Sequence, residues 1–471
     1  MIQLKQSLTY NQSWTKRVMI LIISILLFSI SYIPTQGQKI NRPNIILITA
    51  HDLGQHLFSY GVKTVQTPNI QILAKKGILF TNCYSTSAVC SPGRGSLLTG
   101  RYPQSNGLMG LTHSPWWWKL NDEEVHMAKL LSQNGYDSYL IGLQHITSDD
   151  ILKYGYKAHL SQQMYARETV AQTVKLIKEM ENSSTPFFLK VGFKEVHRPF
   201  KNGKDTVNGV FVPPYLKPTR AISDDLADFQ STIRFFDAKV GEILDALYQS
   251  DVANNTLVIL TSEHGIPYPG AKWTIRKAGI EIPLIILQPG TVFSGGKQYK
   301  NVISNVDILP TILDYLKIEI PQNIEGVTFF PYLMAKTKTK IREAAFSQYT
   351  PDMKRDNLSR SIITEKYHLI RYFDQGRTVD YPVDVEPVQF ASHVQRASTI
   401  GTRPFFQLFD IEKDPYELVD IGQKQEMMPA VLELNRKLYE WMVSVNDPLL
   451  EGPLRTPYYE KALKDFKTFE K

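Results

Sequence analysis

Short apolar runs rich in β-branched residues recur from residue 44 onward, separated by stretches with helical periodicity. Asn44–Thr49 (NIILIT), Pro186–Phe193 (PFFLKVGF), Thr256–Thr261 (TLVILT) and Pro283–Gln288 (PLIILQ) are near-continuous apolar segments and predict buried strands, with a shorter one at Ser138–Ile141. Between and after them, Pro68–Lys76 (opened by Thr67-Pro68), Glu123–Asn134 (stopped by Gly135), Arg167–Glu181, Asp224–Ser250 and Ile308–Leu316 read as helices. This alternation predicts an α/β fold, a large and mostly parallel sheet covered by helices on both faces. Past about residue 338 the rhythm changes. Ile362–Phe373 and Pro404–Asp410 read as strands without an intervening helix, and Pro429–Val445 as a closing helix with Pro429 in its first turn. The expected organisation is a large domain over 38–338 and a smaller α+β domain with an antiparallel sheet over 339–471.

The 471-residue composition, 43% hydrophobic and 21% charged, excludes a disordered or fibrous chain. No repeat of solenoid length is visible. Formal charge is +7, but Lys5, Lys16 and Arg17 lie in an acid-free leader, and without residues 1–37 it falls to +4. The remaining charges are mixed, with no basic stripe of the kind that binds nucleic acid, so no nucleic-acid partner is expected. In the leader, Lys16-Arg17 precedes the apolar run Val18–Ile33 and then Pro34-Thr35-Gln36-Gly37. Residues 1–37 therefore read as a cleaved export signal, with a retained anchor as the alternative, and the protein is expected in the periplasm or secreted, without a stable membrane span.

Polar residues of ligand and acid–base type sit just past predicted strand ends: His51-Asp52, His145, His197 and Glu263-His264. In open α/β sheets the carboxyl ends of the strands form the ligand site, so these four exits point to one shared site. Between them lies Cys90-Ser91-Pro92-Gly93-Arg94, running into Gly95-Ser96-Leu97-Leu98-Thr99-Gly100-Arg101. Pro92 suits the first turn of a helix, which puts Cys90 at its positive end with Arg94 one turn further on. Cys83 is the only other cysteine, and a disulfide between the two is the alternative to a chemical role for Cys90.

The Cys-x-Pro-x-Arg segment followed by Leu-Thr-Gly-Arg resembles the signature of the formylglycine-dependent sulfatases, and the resemblance extends over about residues 41–445. It implies an alkaline-phosphatase-like sandwich fold and a sulfuric ester hydrolase. It further implies that a formylglycine-generating (sulfatase-maturing) enzyme oxidises Cys90 to Cα-formylglycine during export. One oxygen of the hydrated aldehyde attacks sulfur, an alcohol or amine leaves, and the second hydroxyl expels sulfate. Arg94 would hold the nucleophile's oxygens, and Cys90 as formylglycine would also face a divalent metal.

Other segments match that family with departures. At 51–52 it usually has two Asp residues on Ca2+; Asp52 matches, whereas His51 replaces an oxygen donor with imidazole. Glu263-His264-Gly265 stands for Asp-Asn-Gly or Asp-His-Gly, which completes the ligand set. Ca2+ is the family expectation, and two histidines beside two carboxylates leave Mn2+ or Zn2+ open. Gly142-Leu143-Gln144-His145 resembles a Gly-Lys-x-His segment with Leu143 in place of Lys. Lys194-Glu195-Val196-His197-Arg198-Pro199 resembles His-x-x-His-x-Pro with Lys194 in the first His position; either His197 or Lys194 is then expected to help the leaving group, with His197 favoured because its pKa lies near working pH. Lys272 matches the sulfate-contacting lysine.

Asn106–Leu111, His197-Arg198-Pro199 and Gly265–Pro269 look most like the N-sulfoglucosamine sulfohydrolase (heparan N-sulfatase) branch, which includes bacterial relatives acting on algal ulvan. A sulfated carbohydrate is therefore the expected substrate, with His113, Trp117 (within Trp116-Trp117-Trp118), Lys194 and Arg198 as candidate sugar contacts. Competing readings are a phosphomonoester or phosphodiester hydrolase of the same superfamily and an inactive sulfated-glycan-binding protein. The first conflicts with Cys90, Pro92 and Arg94; the second draws on the departures at His51, Leu143, Lys194 and Glu263.

Overall fold

A computed structural model describes residues 42–335, 340–351, 357–374 and 403–467. The leader and its export reading lie outside the described residues. The described chain from Pro43 onward packs as one compact unit.

Ten strands build its first part: β1 (Asn44–Ala50), β2 (Ile78–Phe80), β3 (Cys83–Tyr84), β4 (Asp137–Gly142), β5 (Ala158–Ser161), β6 (Phe187–Gly192), β7 (Thr256–Ser262), β8 (Leu284–Leu287), β9 (Lys297–Tyr299) and β10 (Ile303–Ser304). Eight of them form one sheet in the order β5-β4-β6-β1-β7-β8-β2-β9, and β10 pairs with β3 outside it. From β5 to β7 every pairing is parallel; β8 runs antiparallel to both β7 and β2. The expected large, mostly parallel sheet is observed.

Every residue of β1 is buried, as a central strand covered on both faces requires. Ile46, Ile48 and Ala50 face a core built with the helices Pro68–Lys76, Ala166–Met180 and Arg220–Tyr248. Ile45 and Leu47 face the opposite core, which includes Leu97 and Leu98 of the helix Cys90–Thr99 and the apolar side of Ile308–Tyr315. Most element ends fall within a few residues of the sequence reading. The helix expected over Glu123–Asn134 spans only Met127–Gln133, because His126 caps it by accepting a bond from Ala128 N at 3.0 Å.

The last part carries β11 (Ala345–Tyr349), β12 (Ser359–Ile363), β13 (Tyr367–Tyr372) and β14 (Phe406–Asp410), in that order in an antiparallel sheet. The single strand expected over Ile362–Phe373 is in fact the end of β12, a turn and β13. Thr364 makes that turn: its backbone N donates to Tyr367 O, and its hydroxyl accepts from the backbone N of Tyr367. Alternate residues sort to two faces. Ile363, Ile370 and Phe409 share a core with Val89 and Cys90, whereas Ile362, Leu369 and Leu408 pack under the helix Met428–Ser444. Among the described residues no helix is long and apolar enough to cross a membrane.

Candidate active site

The helix Cys90–Thr99 begins at Cys90 itself, with Val89 as its extended N-cap. It lies against the exit of β7: a Cβ on Gly93 would stand 2.5 Å from Glu263 O, so only glycine admits this approach. Cys90 and Cys83 are both free and buried. The exits of β1 and β6 are tied by reciprocal bonds, His51 N to Glu195 O at 2.9 Å and Val196 N to His51 O at 2.8 Å. Those of β1 and β7 are tied by Gly54 N to His264 O at 3.1 Å and Leu53 N to Ser262 Oγ at 3.3 Å. These ties fix the loops that carry His51, Asp52, Glu263 and His264.

His51, Asp52, Cys90, Glu263 and His264 converge, all buried, each offering one donor atom within 4.8 Å of all the others. His51 Nδ1 stands 2.8 Å from Asp52 Oδ1 and 2.7 Å from Glu263 Oε1; His264 Nε2 stands 3.2 Å from Asp52 Oδ1 and 3.3 Å from Cys90 Sγ. Isolated charges this deeply buried would be costly, so the set needs internal pairing or a cation. Two cationic side chains supply part of it. Arg94 donates to Glu263 Oε2 at 3.0 Å and to Thr49 Oγ1 and Ala50 O at 3.3 Å each; Lys272 Nζ donates to Asp52 Oδ2 at 2.7 Å. The donor set fits a divalent metal: two buried carboxylates and two imidazoles face one point, with Cys90 at its edge.

Proton affinities follow from the same contacts. Burial would raise the Glu263 carboxyl, but Arg94 and His51 outweigh it and push it down to about 2. Burial would likewise raise Asp52, yet Lys272 and His51 hold it well below the usual range. Burial disfavours a charged imidazole, but the Cys90 and Asp52 partners carry His264 up to about 10. For Cys90, burial opposes ionisation, while His51, Lys272 and His264 overcome it and depress the thiol well below its ordinary value. The pocket thus stabilises an anion at position 90.

Around this centre His197 Nε2 lies 3.8 Å from Asp52 Oδ2, and its ring meets the His51 ring edge-on with centroids 4.5 Å apart. His145, at φ 56°, also contributes to lowering the Cys90 thiol. His113 is exposed, with Nδ1 3.2 Å from His145 Nε2. Cys90, Arg94, His145, His197, Lys272, His51, Asp52, Glu263 and His264 are thus gathered in one place, with His113 at its rim.

The remaining sequence candidates have other neighbours. Trp117 stacks on Tyr458 with centroids 6.1 Å apart and receives Lys461 Nζ at 4.2 Å over its ring. Arg198 forms a bidentate pair with Asp225 at 2.7 and 2.5 Å and lies over the Phe200 and Tyr268 rings. Lys194 Nζ sits 5.3 Å from the Tyr165 ring centroid. Sequence reasoning missed Lys190, a buried lysine in the middle of β6. Its Nζ donates to Leu143 O at 2.8 Å and to Thr49 Oγ1 at 3.4 Å, the same hydroxyl that Arg94 reaches. Its sequence signal was a lone charge inside the apolar run PFFLKVGF.

A family model described as Sulfatase matches residues 43–318, and one described as N-sulphoglucosamine sulphohydrolase, C-terminal, matches residues 270–398. A relative described as ulvan-active sulfatase, from Formosa agariphila, is 24% identical over 447 residues, covering 90% of this chain and 85% of its own. N-sulphoglucosamine sulphohydrolase of Homo sapiens is 26% identical over 467 residues, covering 88% and 92%. A solved structure described as a complex with its substrate D-glucosamine-2-N,6-O-disulfate superposes with TM-score 0.67 at 21% identity, covering 86% of this chain and 98% of its own. A 2-O glycosaminoglycan sulfatase structure gives TM-score 0.68 at 17% identity, covering 88% and 95%. At these identities the structures support the alkaline-phosphatase-like fold alone.

Proposed function

The chain belongs to the sulfatase family, and from that premise we propose an exported sulfatase that removes sulfate from a carbohydrate chain through formylglycine at position 90. The observation that carries this reading is the position of Cys90 at a helix N-terminus. There it meets four buried metal-type donors and two buried cations in a single pocket.

In this reading Cys90, oxidised by a formylglycine-generating enzyme, presents a hydrated aldehyde. One hydroxyl oxygen attacks the sulfate sulfur as the S–O or S–N bond to the sugar breaks. The other hydroxyl then loses its proton, its C=O bond forms and sulfate departs, so that one water is consumed per turnover. Arg94, at the base of the pocket, holds Glu263 in place and orients the nucleophile's oxygens. His197 delivers the proton that the departing sugar oxygen or nitrogen requires; its placement beside Asp52 supports this role. Lys272 and His145 hold sulfate oxygens. His51, Asp52, Glu263 and His264 would hold a divalent cation, which when bound polarises the sulfate and lowers the pKa of the diol.

His113 and Lys194 are proposed as sugar contacts. Trp117 and Arg198 would act there only by exchanging the partners they now have. The preferred substrate is a sulfated polysaccharide such as ulvan; the matched C-terminal family model favours N-sulfated glucosamine as the second reading. Sulfate release is measured from both oligosaccharide sets, using formylglycine-bearing protein and the Cys90→Ala variant. Release that depends on residue 90, with an unchanged melting temperature in the variant, is the expected result. Turnover surviving Cys90→Ala overturns the mechanism. Tight glycan binding without any release supports an inactive binding protein instead.

A further inference from the structure

We propose that the metal centre of this chain selects a first-row transition dication, Mn2+ or Zn2+, over Ca2+, because His51 supplies a second nitrogen donor. The inference deepens the sulfatase reading above and rests on it for the identity of the pocket.

The argument begins with four atoms. His51 Nδ1, Asp52 Oδ1, Glu263 Oε1 and His264 Nε2 face one another, with neighbouring separations of 2.8, 2.7, 3.2 and 3.6 Å. An ion with bonds of about 2.1 Å keeps its neighbouring donors roughly 3.0–3.4 Å apart, so little movement is needed to admit one. Ca2+, with bonds of about 2.4 Å and six to eight oxygen ligands, needs a wider and oxygen-richer shell. The further carboxylate oxygens are already committed. Glu263 Oε2 accepts from Arg94 at 3.0 Å and Asp52 Oδ2 from Lys272 at 2.7 Å, so bidentate carboxylate ligation would break a buried ion pair.

Charge points the same way. Two carboxylates already neutralised by two buried cations leave little negative field for a hard ion. Imidazole nitrogens, by contrast, bind borderline ions through directed bonds. His51 is also held for the task. It is 4% exposed, its backbone is fixed by Glu195 and Val196, and His197 packs edge-on to its ring.

The test uses formylglycine-bearing protein with conversion verified by mass, since an unconverted thiol would itself attract zinc. Chelator-stripped protein is offered Ca2+, Mn2+ and Zn2+ at equal concentrations. Bound metal is counted by elemental analysis, and the thermal midpoint is titrated with each ion separately. About one Mn2+ or Zn2+ per chain is expected, with Ca2+ needing on the order of 100-fold higher concentration for the same thermal shift. Pulsed EPR of the Mn2+-loaded protein should show couplings from two imidazole nitrogens. In His51→Asp, and in His51→Asn should the first variant fail to fold, the preference should move toward Ca2+ and one nitrogen coupling should vanish. Equal or preferential Ca2+ binding by the unaltered protein, or a single nitrogen coupling, overturns the inference. Sulfate release is assayed separately: activity with Ca2+ as the bound ion would keep the sulfatase reading and discard this one.

Discussion

Arg94 is buried to 1% exposure and bridges the helix Cys90–Thr99 to Glu263, Thr49 and Ala50. Removing its head group takes the ion-pair partner from Glu263 Oε2, on a carboxylate at 1% exposure. Arg94→Ala is therefore expected to cost about 3–5 kcal/mol of stability as well as turnover, measured by urea denaturation. Lys190 makes a subtler case. Its Nζ holds the carbonyl of Leu143, two residues before His145, whose backbone sits at φ 56° and so needs support from its surroundings. Burial, and next the Arg94 charge, lower the Lys190 amine well below its ordinary pKa, so an uncharged side chain of similar length should fit there. Lys190→Met is expected to retain or raise the melting temperature while lowering kcat about tenfold, with KM nearly unchanged. A kcat equal to that of the unaltered protein would reduce Lys190 to a structural filler. The gathering of His51-Asp52 and Glu263-His264 was legible from their places just past strand ends, whereas Cys90 to Arg94 and Lys272 were picked out by resemblance to the sulfatase pattern. Lys190 was not, because a residue that acts from within a strand interior leaves no motif. Trp117 and Arg198 were assigned on residue type alone, and their partners Tyr458 and Asp225 are far away in sequence.

Strand β1 and the helix Pro68–Lys76 were readable almost to the residue, because continuous apolar runs and a Thr-Pro opening are local signals. Less readable were β2, β3, β5, β9 and β10, short pieces whose pairing is decided by neighbours rather than by their own composition. The helix Met127–Gln133 shows how one cap resets a boundary and also creates a pH response. Burial pushes both the His126 and the His56 imidazole down to about 3. In the unfolded chain both titrate near 6.5, so the folded state disfavours the proton. Their stabilisation is fully present above pH 6.5 and is lost as pH falls toward 3, at about 1.4 kcal/mol per pH unit for each group. Urea midpoints should therefore fall from pH 7.5 to 5.0. His126→Asn, which keeps a capping acceptor but does not titrate, should make that fall shallower. An unchanged slope in the variant would show that His126 takes no part in it.

The antiparallel sheet β11–β14 supplies the site with a floor. Its inner residues Ile363, Ile370 and Phe409 share one apolar cluster with Val89, Cys90 and Trp273, the last of which follows Lys272. Polar ties reinforce this packing. Ser347 Oγ donates to Ser85 O at 2.7 Å and Gln348 N to Thr86 O at 2.8 Å, just ahead of the helix Cys90–Thr99. Glu417 Oε2 accepts from Lys277 N at 2.9 Å, while Oε1 pairs with His368. The segment around Glu417 thereby clamps the loop that carries Lys272. Behind the sheet, Arg360 and Asp447 form a fully buried ion pair at 2.5 and 3.0 Å that anchors the chain after the helix Met428–Ser444. The change in strand–helix alternation past about residue 338 points to two domains, and sequence alone does not show that they share a core, since that depends on which face of each strand turns inward. The consequence is cooperative unfolding of the large sheet together with the small one. Calorimetry should give a single transition, with no separate unfolding of residues 339–471. A chain ending at 338 should fail to give soluble, sulfate-releasing protein, because Cys90 and Trp273 would lose the apolar surface beneath them. Asp447→Ala should lower the one melting temperature and carry sulfate-releasing activity down with it at the same temperature. Two resolved transitions, or an active fragment 38–338, would show instead that Cys90 does not need the apolar floor on which the structure rests it.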